Sequence, residues 1–118
     1  MYGLPKEFDG KFLVGRTLEM VCFNQNQVYL HFDAKVTITV ESAFSHQGAR
    51  GEAIRLIELP VEVSDLMVLL ESSVSDVEGS KDGTLSLFFD NGHILRIYDD
   101  SPQYESYKIE NGDAVIIV

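Results

Sequence analysis

With 118 residues, 45% of them apolar and 24% charged, the chain can bury one hydrophobic core, which argues against intrinsic disorder and against two domains. Its formal net charge of −10 argues against nucleic-acid binding through phosphates, where Lys and Arg must replace counterions. Cys22 is the only cysteine, so an internal disulfide is excluded.

Residues 1–10 carry Pro5, Lys6, Glu7 and Asp9 where a secretory signal needs an unbroken apolar stretch. The longest apolar runs, Leu66 to Leu70 and Ala114 to Val118, are five residues each, against about 20 for a membrane-spanning helix. The expectation is a soluble cytoplasmic protein with no membrane contact. Cys22, between Val21 and Phe23, reads as a small core residue in a reducing compartment.

The first predicted strand is Arg16 to Phe23, followed by a turn at Asn24 to Gln27. Val28, Leu30 and Phe32 then alternate with Tyr29 and His31, the signature of a half-buried strand. After Asp33-Ala34 the alternation resumes, with Val36, Ile38 and Val40 on one face and Thr37, Thr39 and Glu41 on the other. Ser42 to Arg50 is polar and reads as a connection, and Ala53 to Leu59 reads as a strand ended by Pro60. Ser64-Asp65 ahead of Leu66 to Glu71 has the look of a helix N-cap, so a short helix near 64–71 is expected, with a buried strand as the alternative.

The hairpin pattern returns 57 residues later as Leu85 to Phe89, Asp90-Asn91-Gly92, and His93 to Tyr98. Leu30 matches Leu87, Phe32 matches Phe89, Asp33 matches Asp90, Ile38 matches Leu95, and Val40 matches Ile97. Asn91-Gly92 supplies the stronger turn chemistry and Ala34-Lys35 a weaker version of it. A further strand, Ser72 to Glu78, precedes the second hairpin as Arg16 to Phe23 precedes the first. Gln103 to Ile109 and Ala114 to Val118 read as two more strands joined at Asn111-Gly112-Asp113. The expected fold is mainly β. Two antiparallel meanders related by internal duplication, with pseudo-repeats at about 11–59 and 66–118 of a single domain 1–118, form a sandwich or a partly open barrel. The uncharged Ala114 to Val118 must then be a central strand or be covered by a partner, a homodimer included.

Catalytic constellations are not legible. His31, His46 and His93 fall in no metal-ligand spacing, so no metal or other cofactor is expected. A Gly-x-Ser-x-Gly nucleophile elbow and a phosphate loop are both missing from the sequence; Gly48-Ala49-Arg50-Gly51 lacks the Lys-Ser/Thr ending. Asp99-Asp100 are adjacent, which on a strand would point them to opposite faces, a poor acid–base pair. The expectation is a protein that is not an enzyme.

Charge is distributed unevenly. Up to Pro60 the chain has six Lys/Arg and seven acids, giving −1; beyond it, three and twelve, giving −9. Asp99, Asp100, Tyr104, Glu105, Tyr107 and Glu110 combine carboxylates with amphipathic aromatic area in that acidic half, a mixture suited to a basic protein surface, and are the predicted partner-binding residues.

Phe89-Asp90-Asn91-Gly92-His93-Ile94-Leu95-Arg96-Ile97, followed by Tyr104-Glu105-Ser106-Tyr107, resembles a family of small uncharacterised bacterial proteins with a Phe-Asp-x-Gly hairpin and a Tyr-Glu-x-aromatic motif. That family looks like the single-domain immunity proteins encoded beside secreted bacterial toxins, which inhibit by binding. Tyr107 stands where such members carry a tryptophan, so a role tied to that indole does not carry over. The resemblance and the charge together imply a non-catalytic protein that neutralises a basic toxin through its acidic C-terminal half. A structural module dimerising through sheet edges and a small-molecule binder with a cavity between the meanders are the alternatives.

Overall fold

In the computed structural model, which describes residues 3–51, 54–58, 66–101 and 105–118, the alternating segments form ten strands. They are β1 (Leu18–Phe23), β2 (Val28–Phe32), β3 (Val36–Val40), β4 (Phe44–Gln47), β5 (Ile54–Ile57), β6 (Val74–Gly79), β7 (Leu85–Phe89), β8 (Ile94–Ile97), β9 (Tyr107–Asn111) and β10 (Ala114–Ile117). Two five-stranded antiparallel sheets result, in the orders β1-β2-β3-β9-β10 and β5-β4-β8-β7-β6, and neither closes into a barrel.

The two expected meanders are β1-β2-β3 and β6-β7-β8. Their inner faces supply the core: Leu30, Phe32, Ile38 and Val40 from the first, and Leu87, Phe89, Leu95 and Ile97 from the second, are all buried. Burying such faces on each other supplies roughly 25 cal/mol for each Å² of apolar surface removed from water.

Each meander is completed by a hairpin from the other half of the chain. The hairpin β4-β5 leaves the first meander and joins β8, pairing Phe44 with Ile97. The hairpin β9-β10 returns to β3, pairing Tyr107 with Val40. Neither half can fold its sheet alone, so the exchange ties the duplication into one cooperative unit.

The repetition extends to single hydrogen bonds. The Gly15 N–H donates to Val74 O and the Glu71 N–H to Leu18 O, both at 2.7 Å, each shifted by 56 positions. The Leu18 N–H donates to Ser72 O and the Val74 N–H to Arg16 O, at 3.0 and 2.9 Å. Thr17 and Ser73 form an isolated antiparallel bridge, and their hydroxyl oxygens lie 2.9 Å apart. The matched aspartates do matched work: Asp33 Oδ1 accepts from the Thr17 N–H and Asp90 Oδ1 from the Ser73 N–H. β1 and β6 even carry the same bulge, after Leu18 and after Val74.

Two readings change and a third, the short helix, is narrowed. Residues 44–47, inside the expected polar connection, are strand β4. The segment 66–71 holds a 3-10 turn, Leu66–Leu69, whose Leu66 and Leu69 are buried; the proposed cap at 64–65 lies outside the described residues. Cys22 is not in the core: the bulge in β1 turns it to the outer face opposite Tyr29, where it is partly exposed.

Candidate functional site

The register defines two equivalent outer faces. On the sheet containing β6, one row of side chains crosses all five strands as Ile54, Gln47, Ile94, Phe88 and Asp76, and the next as Leu56, Ser45, Arg96, Ser86 and Glu78. The other sheet places Val115, Glu110, Thr37, His31 and Met20 in the first row and Ile117, Lys108, Thr39, Tyr29 and Cys22 in the second. The cores match, whereas the surfaces do not. Where one sheet ends in Met20 and Cys22, the other ends in Asp76 and Glu78.

The β6-side face is graded from apolar to acidic. Ile54 and Leu56, on β5, are 56% and 60% exposed, large values for aliphatic side chains. Phe88 and Ile94 are partly exposed in the middle, and Asp76 and Glu78 are exposed at the far margin. Arg96 donates to Gln47 Oε1 at 3.1 Å, and Ser45 Oγ lies 2.7 Å from the Tyr98 hydroxyl, so the central polar groups are already engaged. Asp82, beyond β6, accepts from the Ser80 hydroxyl and from the Thr84 N–H, which hold its carboxyl below the usual carboxylate range.

The described members of the six predicted partner-binding residues do not share one surface. Tyr107 is a core residue with no exposed area, and its hydroxyl donates to Gly83 O at 2.6 Å. Its phenol is pushed above the ordinary tyrosine range, first by burial and then by the charge of Asp82. Asp99 is a clasp: Oδ2 accepts from the Gly3 N–H at 2.8 Å and Oδ1 from the Ser106 hydroxyl at 2.9 Å. Glu110 lies 3.5 Å from the Lys108 ammonium. Asp100 is exposed, and Tyr104 lies outside the described residues.

Glu105 is set beside Glu41. Partial burial first, then a hydrogen bond with Glu41 and the charge of that carboxyl, raise the Glu105 carboxyl above its ordinary 4.5, with Lys108 pulling the other way. A carboxyl raised in the folded state favours folding while protonated. Its contribution is present below the unfolded value near 4.5 and is lost as pH rises through the folded one. Glu105→Gln is therefore expected to flatten the decline of the unfolding free energy just above pH 4.5, checked by urea melts across that interval. A slope unchanged from the parent chain would show that the Glu41–Glu105 contact does not form.

Sequence reasoning missed one pair. His46 is buried on the inner face of β4, and its Nε2 lies 2.8 Å from His93 Nδ1, with the rings stacked at 5.0 Å. That bond needs one ring to donate and the other to accept, so it fixes complementary tautomers. The signal was present as the alternation of Phe44 with His46, but the intervening Ser45 and Gln47 hid it. Among the described residues, no group of three His, Cys, Asp or Glu side chains is arranged to hold a metal ion. No described helix is long and apolar enough to cross a membrane. A groove of about 620 Å³ lies beneath residues 4–14 and against β6 rather than between the meanders; Leu4, Phe8, Val14 and Val77 contribute its apolar lining.

Over residues 10–118 the chain matches the sequence model of a family described as "Family of unknown function (DUF6188)". The match spans nearly the whole chain, and the protein belongs to that family. No curated protein and no solved structure matches it.

Proposed function

We propose that this member of the DUF6188 family is a non-catalytic binding protein that neutralises a basic bacterial protein, of the toxin class, by covering it with an acidic surface. One observation carries the reading. The two sheets share their core and their topology, yet Asp76 and Glu78 occupy the margin where the equivalent positions are Met20 and Cys22. Negative charge has been placed at one margin of one of two otherwise equivalent faces, next to partly exposed Phe88 and Ile94 and across the sheet from exposed Ile54 and Leu56. An apolar patch with a charged rim is the anatomy of a protein interface, and the carboxylates would speed and orient the approach of a basic partner.

The test reverses carboxylates that lie exposed. The protein is purified together with the product of the adjacent gene, and affinity is measured by calorimetry for the parent chain and for a chain with Asp76→Lys, Glu78→Lys and Asp100→Lys. The expected result is a stoichiometric complex weakened about a hundredfold or more by the reversals and weakened also by salt. Absence of association, or an affinity unmoved by the three reversals, would refute the proposal.

A further inference from the structure

The four strands that end the two sheets are protected unequally. β1 carries Glu19 and a bulge, and β6 carries Asp76, Glu78 and the equivalent bulge. A 3-10 turn, Gly10–Leu13, also packs on β6, so closely that a Cβ on Gly10 would lie 2.6 Å from Val77 Cγ1. β5 carries Arg55. β10 has no charge, no proline and no bulge, the features by which sheet edges ordinarily avoid pairing with another chain.

Its backbone valences can be assigned. The Val118 N–H donates to Tyr107 O at 2.9 Å and the Tyr107 N–H to Val118 O at 3.2 Å, so that pair exchanges both bonds. In an antiparallel ladder such pairs alternate with pairs that exchange none. Along β10, Ile116 and Ala114 therefore bond to Ile109 and Asn111, while the N–H and C=O of Val115 and Ile117 point away from β9. The side chains of these same two residues are exposed on the outer face, at 50% and 45%.

We infer that β10 pairs antiparallel with β10 of a second copy, about a two-fold axis through Ile116. That register sets Val115 of each chain opposite Ile117 of the other, and the outward N–H and C=O groups of both residues are satisfied in four hydrogen bonds. It also lays the exposed valine against the exposed isoleucine twice on the same face, a self-complementary contact of the kind that cyclic dimers require. Charge favours a second copy here above a basic partner. The nearest outward-facing charges on β9 are Lys108 and Glu110, 3.5 Å apart and of opposite sign, and exposed Asp113 lies in the turn before β10, so two chains of net charge −10 meet at an edge whose own strand is uncharged. The dimer leaves the Asp76 and Glu78 margin free and stands independently of the proposed toxin partner.

The experiment combines sedimentation equilibrium on the full chain, over a wide dilution series, with amide hydrogen exchange. The expected result is a reversible dimer of twice the chain mass, with the Val115 and Ile117 amides slowed about tenfold or more at high concentration and fast at low. Val115→Pro deletes one outward N–H and leaves the β9 ladder intact. Ile117→Lys introduces a charge where Val115 of the other copy would sit. Each is expected to weaken association about a hundredfold or more while the monomer keeps its β-sheet circular dichroism. Ile117→Lys removes no backbone donor, so it decides the matter if the proline variant does not fold. A monomer at every concentration would overturn the inference. So would a dimer indifferent to Ile117→Lys, or open-ended assemblies showing that β10 pairs with a different edge.

Discussion

Tyr107→Ala is expected to lower the unfolding free energy by about 4 kcal/mol, within the range for deleting a fully buried aromatic ring. Tyr107 has no exposed area, packs from β9 into the core shared by the two sheets, and donates its hydroxyl to Gly83 O. For a domain of this size, whose total is of order 5–15 kcal/mol, that is roughly a quarter or more of its stability. Tyr107→Phe keeps the ring and removes one buried bond, and is expected to lose only about 1–2 kcal/mol. Urea denaturation of the two variants separates packing from hydrogen bonding. Equal losses in both would show that the Gly83 bond, not the ring, anchors β9. The raised Tyr107 phenol adds a second readout. Its stabilising contribution is complete below the unfolded value near 10.0 and declines as pH rises above it, so Tyr107→Phe is expected to weaken the alkaline decline of stability.

Tyr107 also shows where sequence patterning succeeds and where it stops. The meanders were legible because Val28, Leu30 and Phe32, then Val36, Ile38 and Val40, carry an uninterrupted period of two, and Leu85, Leu87 and Phe89 repeat it. The matched Asp33 and Asp90 follow the same logic, since each caps the equivalent bridge residue, Thr17 or Ser73. β4 was illegible because Ser45, His46 and Gln47 are polar whichever face they take, and the face of His46 is decided by its bond to His93, 47 positions away. The exchange of hairpins between the halves was illegible too. Antiparallel pairing of β4 with β5 looks the same in sequence whether the hairpin joins β3 or β8. The predicted partner surface shares this limit: alternation within Tyr107–Asn111 puts Tyr107 and Ile109 inside and Lys108 and Glu110 outside, but nothing local marks Asp99 as a clasp for Gly3 and Ser106.

Gly83→Ala is expected to cost about 3 kcal/mol, the second largest effect, because two penalties coincide there. Gly83 has φ +89, a left-handed backbone that a side chain disfavours, and an added Cβ would lie 2.7 Å from both Cβ and Oδ2 of Asp99. The new methyl group must push Asp99 off the Gly3 N–H and the Ser106 hydroxyl, and shift the Gly83 carbonyl that Tyr107 binds. Gly112 supplies the comparison. Its φ of +59 is also left-handed, but a Cβ there meets nothing within 4 Å, so Gly112→Ala is expected to cost only about 1 kcal/mol of backbone strain. The difference between the two glycines measures the collision with Asp99, and a double-mutant cycle isolates it. In an Asp99→Gly background both the Cβ and the carboxylate that the new methyl group would meet are gone, so Gly83→Ala is expected to cost no more than Gly112→Ala, a coupling of about 2 kcal/mol. Strict additivity of Gly83→Ala and Asp99→Gly would instead place the whole cost in the backbone and show that Asp99 does not crowd the β6–β7 loop at Gly83.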